Sequence, residues 1–296
     1  MSDRKFRFGV VAGQLESPQQ WTGLARRVED AGFSTLLVPD TINVPAPFSA
    51  LAAAGAVTST LRLGTFVLAA PLRSAAWIAW ETASLDRLSG GRFELGIGAG
   101  RPGATTEAEL FGVSFGTPKE RVDQLADTLR VLRETFETAL AGPADGSFTP
   151  TNYLAPVQQP KPPILMAVAG PRMLELAARE ADIITLALRS DSSEKAAADK
   201  VNRLRELAGD RFDELEIGVN TLAVGDMELP ARLIERLGIK LDQATGNRSL
   251  SVLTGSPAEI ADVLLRRRAE LGISYIGVNQ NAIAQFAPVI ELLAGQ

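Results

Sequence analysis

The stretch LDRLSGGRFELGIGAGRPG, Leu85 to Gly103, passes from the end of a helix through a strand into a loop of glycines. Ser89-Gly90-Gly91 stops the helix, because glycine takes the positive φ of a C-terminal cap without steric cost. Arg92 to Ile97 follows as a strand, with Phe93, Leu95 and Ile97 on one face. Glycines then stand at 98, 100 and 103, with Arg101 between the last two. A strand running straight into such a loop brings bare backbone N–H groups close to something, often an anion. Gly98 to Gly103 also satisfies the dinucleotide pattern G-x-G-x-x-G. That fingerprint belongs to the first strand–helix turn of its fold, with an acidic residue about 20 positions on. Here three strand–helix units come first, Asp123 falls in a helical pattern, and Pro102 interrupts the turn. The context excludes NAD.

Outward from this stretch, strands and helices alternate in both directions. Strands are expected at Phe6 to Ala12, Thr35 to Val38, Leu61 to Leu68, Arg92 to Ile97, Ile164 to Val168, Asp182 to Leu186, Glu216 to Ala223 and Ser274 to Val278. Helices fall between them, several opened by Ser-Pro or closed by glycine. The longest, Glu120 to Leu140, carries Val122, Leu125, Leu129, Leu132 and Phe136 on one face. Eight strands in this alternation predict a closed (β/α)8 barrel, a TIM barrel, in a single domain over residues 1–296. A doubly wound open sheet is the alternative. Two insertions interrupt the pattern, at about 142–163 and 225–253. The first, rich in proline and glycine, is expected to fold over the C-terminal mouth. Barrel chemistry sits at strand C-termini, which points to Gln14, Asp40, Phe66, Gly98 to Arg101, Ala169 to Arg172, Thr185 and Asn279.

Composition removes whole classes of chemistry. The chain has no cysteine and no histidine, which leaves no thiolate, no disulfide and none of the usual metal ligands; no metal is expected. A net charge of −5 with signs interspersed argues against nucleic acid. No apolar run approaches the length of a membrane span, and MSDRKFRFG does not read as a signal peptide, so a soluble cytoplasmic protein is expected.

Four separated stretches resemble the luciferase-like monooxygenase family of flavin and deazaflavin enzymes. They are LRLGTFVLAAPLRSAAWIAWETASLDRLSGGRFELGIGAGR, AELFGVSFGTPKERVDQLADTLRVLRETF, PVQQPKPPILMAVAGPRMLELAAREADII and LTGSPAEIADVLLRRRAELGISYIGV. They stand in the family's order and cover most of the chain. The resemblance is closest to the branch that uses coenzyme F420, an 8-hydroxy-5-deazaflavin. It implies a ring in the barrel mouth against a bulge in the third strand, with a non-proline cis peptide at Phe66-Val67. It places phosphate and ribityl chain at Gly98, Ala99, Gly100 and Arg101, and at Ala169, Gly170, Pro171 and Arg172. The physics of the second group agrees, since Gly170-Pro171 opens a helix whose free N–H groups and dipole favour an anion. It also implies self-association, as a homodimer.

Relatives often carry a carboxylate followed by histidine where this chain has Asp40-Thr41, so the histidine's role does not carry over. Asp40 is expected to bind the ring's polar edge or to act as a general acid, its pKa raised by burial beneath the ring. The other side chains considered as proton donors are Glu16, Glu107, Glu109 and Tyr153, with the two glutamates beyond Gly103 expected to be exposed. Trp77 and Trp80, three apart on one helix, are expected to pack in the barrel's outer shell rather than against a ring. The leading expectation is an F420-dependent oxidoreductase moving a hydride between the deazaflavin and a small organic substrate. The alternatives are an FMNH2-dependent monooxygenase of the same family and a non-catalytic flavin-binding protein.

Overall fold

The computed structural model describes residues 4–142, 154–187, 193–225 and 250–296. Among them the strands are β1 (Arg7–Val11), β2 (Thr35–Val38), β3 (Arg62–Thr65), β4 (Leu68–Ala69), β5 (Phe93–Gly98), β6 (Ile164–Val168), β7 (Ile183–Leu186), β8 (Glu216–Thr221), β9 (Ala223–Val224), β10 (Val252–Leu253) and β11 (Ile273–Asn279). The helices are α1 (Pro18–Asp30), α2 (Pro47–Gly55), α3 (Ala75–Leu88), α4 (Thr105–Leu110), α5 (Pro118–Ala141), α6 (Pro171–Glu180), α7 (Glu194–Ala208), α8 (Pro257–Leu271) and α9 (Ile283–Leu293). Nine strands form one sheet in the order β3-β2-β1-β11-β8-β7-β6-β5-β4, and β3 also pairs with β5. Because β3 and β4 are two pieces of one strand, the result is a closed parallel barrel of eight strands, the TIM barrel that the alternation predicts. β9 and β10 add a short parallel pair, while residues 226–249, most of the second insertion, lie outside the described residues. Among the described residues no helix is long and apolar enough to cross a membrane.

Packing divides the chain into two compact units, one of Met1–Ala12, Arg27–Leu36 and Ala167–Gln296, the other of Gly13–Arg26 and Leu37–Met166. In the first, Phe8 of β1 meets Phe286 of α9 edge to face at 5.5 Å, so that side of β1 faces the helices. Arg7 points the other way, 2.6 Å from Glu216 of β8 and 4.6 Å above the Tyr275 ring. In the second unit, Phe93 of β5 packs against Phe48 of α2 at 5.7 Å. Strand alternation then turns Glu94, Gly96 and Gly98 away from the helices. Helix ends are fixed locally. Thr117 and Glu120 form a capping box at the start of α5, and Ser256 and Glu259 form another at α8.

The first insertion lies differently from expectation. Residues 143–153, with Tyr153, are outside the described residues, but 154–163 pack at the N-terminal ends of the strands. Asp86, in the last turn of α3, accepts from Val157 N (2.6 Å), Gln158 N (2.9 Å) and Gln158 Nε2 (2.7 Å). Gln158 Nε2 also donates to the carbonyl of Phe93, the first residue of β5, and Arg62, the first of β3, donates to Gln158 Oε1. The reason is topological. A connection from a helix back to the next strand reaches the sheet where that strand begins, so this segment belongs below the barrel. Among the described residues, a long connection at the C-terminal end is 99–117, between β5 and α5. Asp86 is fully buried, and Asp86→Asn keeps its shape while losing charge and one acceptor. A loss of about 1–2 kcal/mol in unfolding free energy is expected, read from urea midpoints.

Candidate active site

The third strand breaks at Phe66-Val67, and the peptide bond between them is cis, as the family resemblance implies. Both residues are half-buried, and Phe66 N donates to Val38 O at 2.8 Å. β5 makes room for this bulge. A Cβ built on Gly96 would lie 1.8 Å from the carbonyl oxygen of Thr65 and 3.2 Å from Val67 Cγ1. One built on Gly98 would lie 3.0 Å from Val67 Cγ2. Thr65 Oγ1 donates to Gly96 O at 2.6 Å, stitching the two strands where they approach.

Asp40, just past β2, holds the far side of the bulge. Its carboxylate takes both Nη atoms of Arg73, at 2.6 and 2.7 Å, and the backbone N–H of Ala69 in β4 at 2.9 Å. Side-chain exposures of 8% for Asp40 and 20% for Arg73 make this a largely desolvated, bidentate pair. Sequence offers Asp40 as a ring contact or an acid; in the structure both its oxygens already have partners in Arg73 and the Ala69 backbone. Arg73 itself carries no sequence signal beyond its place before the capping Ser74, and sequence reasoning missed it.

In the glycine loop after β5, Gly100 has φ +77, and a Cβ there would meet the Phe115 ring at 3.0 Å, so its bareness serves packing. Phe115 joins Ala69, Leu72, Ala104 and Ala108 in a small apolar cluster. Over it lies Arg121, 4.4 Å above the ring, donating to Ala99 O at 3.0 Å and Gly116 O at 3.1 Å. Arg121 was a second omission, though it had a signal: it heads the buried stripe of Leu125, Leu129 and Leu132 on α5, a charge where an apolar residue is normal. Arg101 is half-exposed and paired with Glu107 of α4. Glu107, expected in solvent, has a side chain only 7% exposed; Glu109 is exposed as expected, and Glu16 is exposed too. Glu120 keeps to its cap, where the Thr117 backbone N–H and hydroxyl hold its carboxyl below the usual range. An open cleft of about 580 Å³ beside this region is lined by Arg73, Ser74, Ser114 and Gln124 among others, and by none of the expected ring contacts. Trp77 and Trp80 are not shell packing; both are about half-exposed on α3, edge to face at 5.2 Å.

In the other unit, Ala169 to Arg172 follow β6. Gly170 caps α6 without any side-chain cap, and a Cβ there would meet nothing within 4 Å, so this helix start faces open space. Arg172 is exposed. Lys200 of α7 donates to Ala169 O at 2.8 Å and Ala187 O at 3.3 Å, and burial pushes its ammonium pKa down. Thr185 is buried, and Asn279 caps a turn by accepting from Asn281 N at 3.0 Å.

The model of one family, luciferase-like monooxygenase, matches residues 5–228. The chain belongs to that family. Relatives include an uncharacterised protein of Mycobacterium tuberculosis, 30% identical in an alignment 227 residues long that covers 67% of this chain and 75% of the relative. Another M. tuberculosis protein, whose given name of coenzyme F420-dependent oxidoreductase is provisional, is 31% identical over 56% of this chain and 50% of its own length. A 5,10-methylenetetrahydromethanopterin reductase of Methanolobus tindarius is 30% identical over 53% and 47%. The fold matches that of a coenzyme F420 dependent tetrahydromethanopterin reductase from Methanopyrus kandleri, with a TM-score of 0.72, 19% identity and 97% of each chain covered. It equally matches a long-chain alkane monooxygenase, with a TM-score of 0.75, 15% identity and 98% and 92% covered. Proteins named as F420-dependent oxidoreductases and as monooxygenases thus stand side by side among its relatives and fold neighbours.

Proposed function

We propose that this luciferase-like protein is a coenzyme F420-dependent oxidoreductase acting on a small organic substrate. The observation that carries the reading is the break in the third strand at Phe66 and Val67, seated on Gly96 and Gly98 and clamped through Ala69 by Asp40 and Arg73. Such a bulge gives a planar ring a fixed backbone shelf at the strand end, and Arg101 at the neighbouring strand end gives an anionic tail a cation. When bound, the deazaflavin supplies or accepts the hydride at its C5. The protein's part is to hold the ring on the shelf and the phosphate on the loop. Of the carboxyls considered as acids, the two buried ones, Asp40 and Glu107, are each ion-paired, so we assign the proton that accompanies the hydride to water. Asp40 becomes a positioning residue for the shelf. F420 is favoured over FMN by the names of relatives at about 30% identity.

The test is titration of the purified protein with F420 and with FMN by fluorescence, then turnover with each reduced cofactor. F420 is expected to bind at least about tenfold tighter than FMN, equivalent to 1.4 kcal/mol, with substrate-dependent oxidation of F420H2 that needs no oxygen. Tighter FMN binding with oxygen uptake would establish the monooxygenase reading instead, binding without turnover would leave a non-catalytic flavin-binding protein, and binding of neither would overturn the proposal.

A further inference from the structure

We infer that Glu107 is a positioning residue for Arg101, aiming its guanidinium at the phosphate of the bound cofactor, with Gly103 as the bare seat over which that guanidinium lies. The inference rests on the reading given under Proposed function. An arginine at a loop surface ordinarily spreads over many rotamers, which weakens its grip on any one ligand. Arg101 is held from two sides. Nη2 donates to Glu107 Oε1, and a Cβ built on Gly103 would lie 2.7 Å from Nη1, so the absence of a side chain there is what lets the guanidinium settle. The glycine at 103 thus makes way for the protein's own cation rather than for a ligand. Glu107 itself is buried, beside Ala104 and Ala108 of the small apolar cluster. A buried carboxylate is costly unless paired, and Arg101 is the cation it meets. Among the described residues the Arg101 guanidinium has no other hydrogen-bond partner. Half of the side chain stays exposed, with the remaining N–H groups of the fork available in a fixed direction.

Two roles for Glu107 make opposite predictions. If it merely neutralises Arg101 to staple the loop, removing its charge favours an anion nearby, since one like charge is gone. If it aims the guanidinium, removing its charge frees the arginine and weakens the anion's hold. The readout is the phosphate preference, the ratio of affinities for FMN over riboflavin and for F420 over its phosphate-free ribityl-deazaflavin fragment. It is taken on the full chain by fluorescence titration with thermal midpoints recorded alongside. Glu107→Gln and Gly103→Ala are each expected to lower the preference about tenfold, the worth of one charge-assisted hydrogen bond, with the phosphate-free affinity unchanged. Gly103→Ala changes no charge, and its added methyl meets only the end of a flexible side chain, so it folds even where Glu107→Gln does not. An unchanged or increased preference in a folded Glu107→Gln, or a wild-type preference in Gly103→Ala, overturns the inference. If Arg101→Met abolishes the preference while Glu107→Gln keeps it, the inference alone falls. If the wild type binds neither pair, the proposed function falls and takes the inference with it.

Discussion

Gly96→Ala is expected to abolish the folded state, or to lower its stability by about 5 kcal/mol or more, most of what a domain of this kind possesses. The methyl would sit 1.8 Å from the Thr65 carbonyl oxygen and 2.8 Å from its carbon. Those atoms are backbone, so no rotamer change relieves the overlap; β3 would have to separate from β5. The pairing Gly64↔Glu94 on one side and the Thr65–Gly96 hydrogen bond on the other hold that spacing. Gly170→Ala is the control, since a Cβ there meets nothing within 4 Å and the backbone φ of −111 suits any residue. Its stability should stay within about 0.5 kcal/mol of wild type. Urea unfolding of the three proteins decides the matter, and a Gly96→Ala protein with a wild-type midpoint would show that the bulge can retreat from β5.

The second large effect is expected at Asp40. Asp40→Ala removes the acceptor for three donors and leaves the Arg73 guanidinium largely buried without its counter-charge. Breaking a buried pair from one side costs about 3–5 kcal/mol. Arg73→Met should cost nearly as much, and the double variant little more than either single one, because the pair is already broken. Cofactor affinity should fall in Asp40→Ala and in the double variant, where Ala69 loses its tether, and less in Arg73→Met. The rate per molecule of bound cofactor should change less than about tenfold, below the 10²–10⁴ that a general acid supplies. A large loss of rate at full occupancy, with stability and affinity intact, would restore Asp40 as the acid.

The barrel was legible because each strand is bounded by turn or cap chemistry of its own: Gly90-Gly91 before β5, Ser256-Pro257 at α8, Gly170-Pro171 at α6. The bulge position followed from the family resemblance; composition alone reads Thr65 to Leu68 as ordinary interior strand. What sequence could not supply were pairings across many residues. Asp40 and Arg73 are 33 positions apart, and nothing local distinguishes a carboxylate that meets a guanidinium from one that meets a substrate. Gly100 and Gly103 were read as bare backbone for an anion because the glycine pattern does not say what fills the space; Phe115 and Arg101 do. The burial of Glu107 was missed for a similar reason, since its cover comes from a six-residue helix too short for a periodic signal. The placing of residues 154–163 was a different kind of error, decided by chain direction and not by composition.

The connection of residues 99–117 has a property that matters for descent and for engineering. Beyond the contact of Phe115 with Ala69 and Leu72, its main fastenings are local. Phe115 fills the space over Gly100, Arg121 ties Ala99 to Gly116, and Thr117 with Glu120 starts the following helix, all within 23 residues of chain, from 99 to 121. Leu110, Phe111 and Val113, at its tip, stand exposed and take no part in them. A segment anchored at its base and unconstrained at its crest is a replaceable cassette. New sequences can be tried between Thr105 and Ser114, with Glu107 and Ala108 kept, while the strand beneath keeps its register. Divergence among descendants of this barrel is expected to collect there first.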